Sequence, residues 1–286
     1  MVLFGSWISG ALLAAAPPKG AARRADHATR RATVPIRIFG GFLVVAQGQI
    51  GSGLQHQNFI LDTGTSPSIL NARVARQLGL PLVPAKLAAV GQETDIRATR
   101  VPEIALGALH ATSAEVLVTD LSGVEQNWKM PIAGILGLDI LGQTSFRIDY
   151  ESHVLEFGDI PPEGIAVNLS PDGRLPIAEV NINGKPLRLL VDTGSDRLVF
   201  FGNKSAERFG AWPGDELIAG ESVSGSVAVR GISSLEVEWN GERFRQKAVV
   251  VSDRQEPLFD GLLSVRSLGF RSIALDAERQ TVYLRK

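Results

Sequence analysis

The stretch Phe59-Ile60-Leu61-Asp62-Thr63-Gly64-Thr65-Ser66 decides how this chain reads, because Leu189-Leu190-Val191-Asp192-Thr193-Gly194-Ser195-Asp196 repeats its pattern 130 positions later. Each copy runs three apolar residues of strand composition into Asp-Thr-Gly. A lone Asp-Thr-Gly arises by chance at roughly one position in several thousand, and Asp and Gly are ordinary turn residues after a strand. Two further landmarks turn coincidence into a repeat. Ala133-Gly134-Ile135-Leu136-Gly137-Leu138-Asp139-Ile140-Leu141-Gly142 matches Asp260-Gly261-Leu262-Leu263-Ser264-Val265-Arg266-Ser267-Leu268-Gly269, 127 positions on. Phe146-Arg147-Ile148-Asp149 matches Ile273-Ala274-Leu275-Asp276 at the same offset. Three landmarks in one order at nearly one spacing identify a tandem duplication.

The segments between the landmarks are short, β-branched and leucine-rich. Ile36–Ile38, Phe59–Leu61, Glu115–Val118, Arg147–Tyr150 and Val154–Phe157 have strand length and composition in the first half. Ile177–Ile182, Leu187–Val191, Leu235–Trp239, Ala248–Val251 and Thr281–Leu284 repeat the style in the second. Asn183-Gly184 and Asn240-Gly241 predict type I′ hairpin turns. The best short helix segments are Asn71–Leu78 and Lys204–Phe209, each beginning shortly after an Asp-Thr-Gly. The fold class is therefore all-β, in two similar halves of the duplication over residues 33–160 and 161–286.

At 286 residues, 44% hydrophobic and 21% charged, the chain can bury full cores and is neither a disordered tail nor a fibre. A formal net charge of −1 argues against a nucleic-acid partner. No cysteine is present, which removes disulfides, a thiol nucleophile and Cys-ligated zinc. The four histidines, at 27, 56, 110 and 153, lack metal-ligand spacing, so no metal and no cofactor is expected. The glycines form no dinucleotide-binding or P-loop spacing. Residues 1–32 read as a signal-like leader and linker. The run VLFGSWISGALLAAAPP at 2–18 has signal-peptide length and small residues at its end, although no Lys or Arg precedes Lys19. It implies export, to the periplasm or outside the cell. Arg23-Arg24 and Arg30-Arg31 make a membrane-proximal leader conceivable.

These motifs resemble the retropepsin and pepsin group of aspartic proteases, as a single chain with two retropepsin-like halves of the kind found in bacterial-type aspartyl proteases. The residues carrying the resemblance are Asp62-Thr63-Gly64-Thr65 and Asp192-Thr193-Gly194-Ser195, followed by Ile135-Leu136-Gly137 and Leu262-Leu263-Ser264. Ser264 departs from the family's glycine and bears on the packing behind the second loop. The resemblance spans about residues 33 to 286. It implies two acid-protease-type β-barrel lobes of about 120 residues, related by a pseudo-two-fold axis, with Asp62 and Asp192 as the catalytic pair in the cleft between them. It implies that Thr63 and Thr193 bond across to the opposite loop and lock the halves. Because both halves lie in one chain, a monomer acting on a polypeptide substrate is expected.

The chemistry follows from the pairing of acids. Peptide hydrolysis without a metal or a nucleophilic side chain needs an activated water and a proton for the leaving amine. Two close carboxyl groups share one proton, because adjacent like charges do not both ionise cheaply. Gly64 and Gly194 permit tight loops whose backbone N–H groups reach the carboxylates. Hydroxyls on Thr65 and Ser195 are expected to donate to the outer carboxylate oxygens, lowering their pKa and favouring an acidic optimum. Hairpin tips are expected at Gly91 and Gly220, 29 and 28 residues beyond the two aspartates, either as flaps covering a substrate or as ordinary surface hairpins with a Gly turn. Asp149 and Asp276 repeat without Thr-Gly and read as structural turn residues. The function expected is an aspartic endopeptidase. One alternative is a catalytically silent peptide-binding or regulatory protein that keeps the fold; another is a structural β-protein whose Asp-Thr-Gly copies are only duplicated turns.

Overall fold

The computed structural model describes residues 6–7, 32–89, 92–171, 175–202, 217–222, 225–251 and 259–286. A two-residue strand, β1 (Ser6–Trp7), is followed by the first half: β2 (Ala32–Phe39), β3 (Leu43–Ile50), β4 (Leu54–Leu61), β5 (Ile69–Asn71), α1 (Ala72–Gln77), β6 (Val83–Ala89), β7 (Gln92–Leu106), β8 (Leu109–Thr119), α2 (Ser122–Trp128), β9 (Gly134–Leu136), α3 (Leu138–Leu141), β10 (Phe146–Asp149) and β11 (Val154–Phe157). The second half continues with β12 (Ile165–Asn168), β13 (Ile177–Ile182), β14 (Lys185–Asp192), β15 (Leu198–Phe201), β16 (Leu217–Ser222), β17 (Gly225–Trp239), β18 (Glu242–Val251), β19 (Gly261–Ser264), β20 (Ser272–Asp276) and β21 (Thr281–Arg285). Among the described residues no helix is long and apolar enough to cross a membrane.

The duplication is literal in the hydrogen-bond ladders. Strands β3-β4-β9-β5-β8-β7 form a ring closed by β3 against β7, and β13-β14-β19-β15-β18-β17 form its counterpart, closed by β17 against β18. In each ring the Asp-Thr-Gly strand runs parallel to the strand of the second landmark. Leu61 lies opposite Leu136, and Val191 lies opposite Leu263. The apolar triplets that open the motifs are buried on both faces: Phe59, Ile60 and Leu61 are all fully inaccessible, as are Leu189, Leu190 and Val191. That is why they read as continuous apolar runs rather than as alternating strands.

A third sheet was not legible as such. Strands β12-β21-β20-β10-β11-β2 make one layer between the barrels, three strands from each half. At its centre Phe146 faces Leu275 and Ile148 faces Ile273. Leu275 is the repeat equivalent of Ile148 and Ile273 that of Phe146, so the pairing is self-complementary, as a two-fold axis requires. The expected lobes of 33–160 and 161–286 are thus joined by shared β-structure, and one hydrophobic core runs from Val34 through Phe146 and Ile273 to Leu284. Smaller clusters around Ile60 and Ile135, and around Leu190 and Leu262, fill the other faces.

Local signals behave as their chemistry dictates. Asn183 and Gly184 adopt φ of 51° and 75°, and Asn240 and Gly241 adopt 50° and 80°, the left-handed pairs of type I′ turns. Helix α1 is capped by Asn71, whose side chain accepts from Arg73 N at 3.0 Å. The second helix expected, Lys204–Phe209, lies outside the described residues.

Candidate active site

Asp62 leaves the end of β4 and Asp192 is the last residue of β14. The two loops meet at the interface of the halves and are bonded reciprocally. Thr63 N donates to Thr193 Oγ1 at 3.0 Å, and Thr193 N donates to Thr63 Oγ1 at 3.2 Å. Each hydroxyl then donates to the strand carrying the opposite aspartate: Thr63 Oγ1 to Val191 O at 2.9 Å, Thr193 Oγ1 to Leu61 O at 3.0 Å. All four groups are buried, so each of these bonds satisfies a group that water does not reach.

The Asp192 carboxyl packs against the loop that carries Asp62, on the side of Gly64, and it is close enough to act on the Asp62 charge. Gly64 N donates to Asp62 Oδ1 and Gly194 N to Asp192 Oδ1, both at 2.7 Å. A methyl group on Gly64 would stand 2.8 Å from Cγ of Asp192, so glycine is required there by the approach of the partner acid. Both aspartates are 0% exposed. Burial first, and the adjacent Asp192 second, hold the Asp62 carboxyl well above the ordinary carboxylate range, against the opposing donors Thr65 and Gly64. Two acids that act on each other in this way lose their protons in two steps that belong to the pair.

The two loops are not identical. Thr65 Oγ1 donates to Asp62 Oδ2 at 2.8 Å, but Ser195 Oγ donates to Arg197 O at 2.9 Å instead of to Asp192. The expected pair of hydroxyl donors is therefore one donor, and the second is taken by a local turn. Behind the first loop, Leu138 N donates to Thr65 O, and a Cβ on Gly137 would fall 2.0 Å from that oxygen. Behind the second loop the equivalent Ser264 is accommodated because its hydroxyl bonds the matching carbonyl, Ser195 O, at 2.6 Å. The glycine-to-serine departure replaces a close backbone approach with a side-chain bond.

A part-buried acid that the sequence reading passed over, Asp139, supports the first loop. Ser68 N and Oγ donate to Asp139 Oδ2 and Oδ1 at 2.9 and 2.7 Å, while Gly137 N donates to Ser68 Oγ at 2.9 Å. Burial pushes the Asp139 carboxyl up, opposed by those Ser68 bonds. The signal was present in the repeat: the equivalents of Ser68 and Asp139 are Leu198 and Arg266, a break in chemistry where the backbone is conserved between halves.

Of the two expected hairpin tips, only the second falls on described residues. Gly91 lies outside the described residues, between β6 and β7. Gly220 is inside β16 opposite Val227, and the ladder of that hairpin continues past it to Ser222 and Gly225, so Gly220 is a ladder residue. A Gly within a ladder reads as a turn when only local composition is weighed. Asp149 and Asp276 cap turns: each Oδ1 accepts two backbone N–H groups, from Glu151 and Ser152 and from Glu278 and Arg279. Among the described residues no group of three or more His, Asp or Glu is arranged to hold a metal ion.

A family model described as aspartyl protease matches residues 46–140 and 178–266, one match in each half. No curated protein matches the chain. The two matched regions span the duplicated barrels and both Asp-Thr-Gly loops, and the chain belongs to the aspartyl protease family.

Proposed function

We propose that the protein is an aspartic endopeptidase in which Asp62 and Asp192 share a proton and activate a water molecule against a peptide carbonyl. The observation that supports this reading is that two buried aspartates stand on loops bonded to each other, with the Asp192 carboxyl packed against Gly64 of the opposite loop. In the reaction the ionised member takes a proton from water as its oxygen attacks the carbonyl carbon. The protonated member hydrogen-bonds the carbonyl oxygen and stabilises the tetrahedral intermediate. The proton taken from water then passes to the amide nitrogen, and the C–N bond breaks. Gly64 N and Gly194 N each hold Oδ1 of their own loop's aspartate, which fixes the orientation of the two carboxyls.

Since both aspartates are inaccessible, substrate entry needs the β6–β7 and β16–β17 hairpins or neighbouring segments to open. The two halves in one chain favour a monomer, and the apolar run at 2–18 favours action outside the cytoplasm. Incubation with a denatured casein-like substrate from pH 3 to 7 tests the assignment. Wild type should cleave, while Asp62→Asn and Asp192→Asn should lose activity by at least about 10²–10⁴-fold. The full burial of the pair also favours a second reading, a peptide-binding protein with a closed cleft. Indistinguishable outcomes for wild type and both variants would select it.

A further inference from the structure

Positions 139 and 266 are equivalent in the repeat, yet their side chains hold different things. Asp139 works inside its own half, through Ser68. Arg266 reaches out of its half. Its Nη1 donates to Phe270 O at 2.7 Å, its Nε donates to Gly41 O at 3.2 Å, and its guanidinium lies 4.7 Å from the centroid of the Tyr150 ring. Gly41, in the β2–β3 turn, and Tyr150, at the end of β10, both belong to the first half. The backbone from which Arg266 extends is in contact with Asp192: Ser264 lies opposite Asp192 in the ladder, and Val265 N donates to Asp192 O at 3.4 Å. A planar guanidinium can bond two carbonyls and stack on a ring at once, which an ammonium cannot.

We propose that Arg266 is a positioning residue that ties the segment supporting Asp192 to the half carrying Asp62, and so sets the separation of the two carboxyls. The inference rests on the dyad reading above, but not on observing cleavage. Coupling between two acids falls as their distance grows, so a loosened tether brings the two titration steps of the pair toward each other. Beside the pair lie Tyr150, which is titratable and carries the Arg266 guanidinium over its ring, and the neutral hydroxyl of Thr65, which donates to Asp62 Oδ2. Burial pushes the Tyr150 phenol up, opposed by Arg266 and reinforced by both aspartates, so it remains a neutral hydroxyl throughout. Losing only the arginine charge would instead move both steps upward together.

The test is a ¹³C carboxyl titration of the full chain with labelled aspartate, the dyad signals being assigned through Asp62→Asn and Asp192→Asn. In both Arg266→Gln and Arg266→Lys the two steps should close by roughly 1 pH unit. The pH–rate bell, where cleavage is measurable, should narrow from both sides. Arg266→Lys keeps stem and charge and carries the test should Arg266→Gln fail to fold. An unchanged separation in either folded variant, or a common upward shift in Arg266→Gln that Arg266→Lys restores, overturns the proposal. Closing steps in a protein that cleaves nothing would uphold the tether while removing the protease assignment. Cleavage with an unaffected separation would do the reverse.

Discussion

A methyl group at residue 64 has nowhere to go except into the partner acid, 2.8 Å from its Cγ and 2.9 Å from its Oδ1. Gly64→Ala must therefore displace Asp192, and a misplacement near 1 Å costs about 10²-fold in rate. We expect that loss in kcat for a defined peptide. The dyad also makes a thermal prediction. A carboxyl whose folded pKa lies above its unfolded value keeps its proton longer in the native state. Between those two pKa values the native state then binds more protons, and stability falls as pH rises. The Asp62 shift has that sign, driven first by burial and then by Asp192. Asp62→Asn removes the titration, so it should raise the melting temperature above that of wild type at pH 7 and leave it nearly unchanged at pH 3. A lower melting temperature for the variant at pH 7 would contradict this direction. At this scale Asp62, Asp192, the two threonines and the two glycines could be read from the repeat. Ser195 could not, because the choice of its hydroxyl between a carboxylate and Arg197 O depends on the turn that follows.

At the scale of elements, the cross-loop bonds join strands β4 and β14 through four hydrogen bonds between buried groups. Thr63→Val leaves Val191 O without its hydroxyl donor and Thr193 N without its acceptor, at about 1–3 kcal/mol for each buried group left unpaired. Urea denaturation should show that loss, and Thr193→Val, which removes the other two of the four bonds, should show a loss of similar size. The elements themselves were largely legible. Alternation and β-branching marked the strands, Asn-Gly pairs marked two hairpins, and Asn71 marked the start of α1. Partnerships were not. The patterns of Phe146–Asp149 and Ser272–Asp276 show that these are strands, but nothing local says that β10 and β20 pair with one another. Gly220 shows the same limit, since a glycine within a ladder and one at a turn look alike without the partner strand.

For the whole molecule, the central sheet makes each half depend on the other. Strand β20 lies beside β10, and β21 lies between β20 and β12. A chain ending before Ser272 would uncover Phe146 and Ile148, both fully buried, along an unpaired strand edge. Such a truncation should be insoluble or aggregated on size-exclusion chromatography, while the full chain elutes as a monomer. A soluble, folded truncation would mean that the halves are independent and that the shared sheet is ornamental to folding. The same sheet and the threonine bonds hold the two acids face to face across the pseudo-two-fold axis. The most direct measurement of that arrangement is a crystal structure with a peptide analogue bearing a hydroxyl in place of the scissile carbonyl. The predicted result is that hydroxyl within about 2.6–3.2 Å of oxygens from both Asp62 and Asp192. An analogue bound elsewhere, or contacting one carboxyl with the other turned away, would contradict the account.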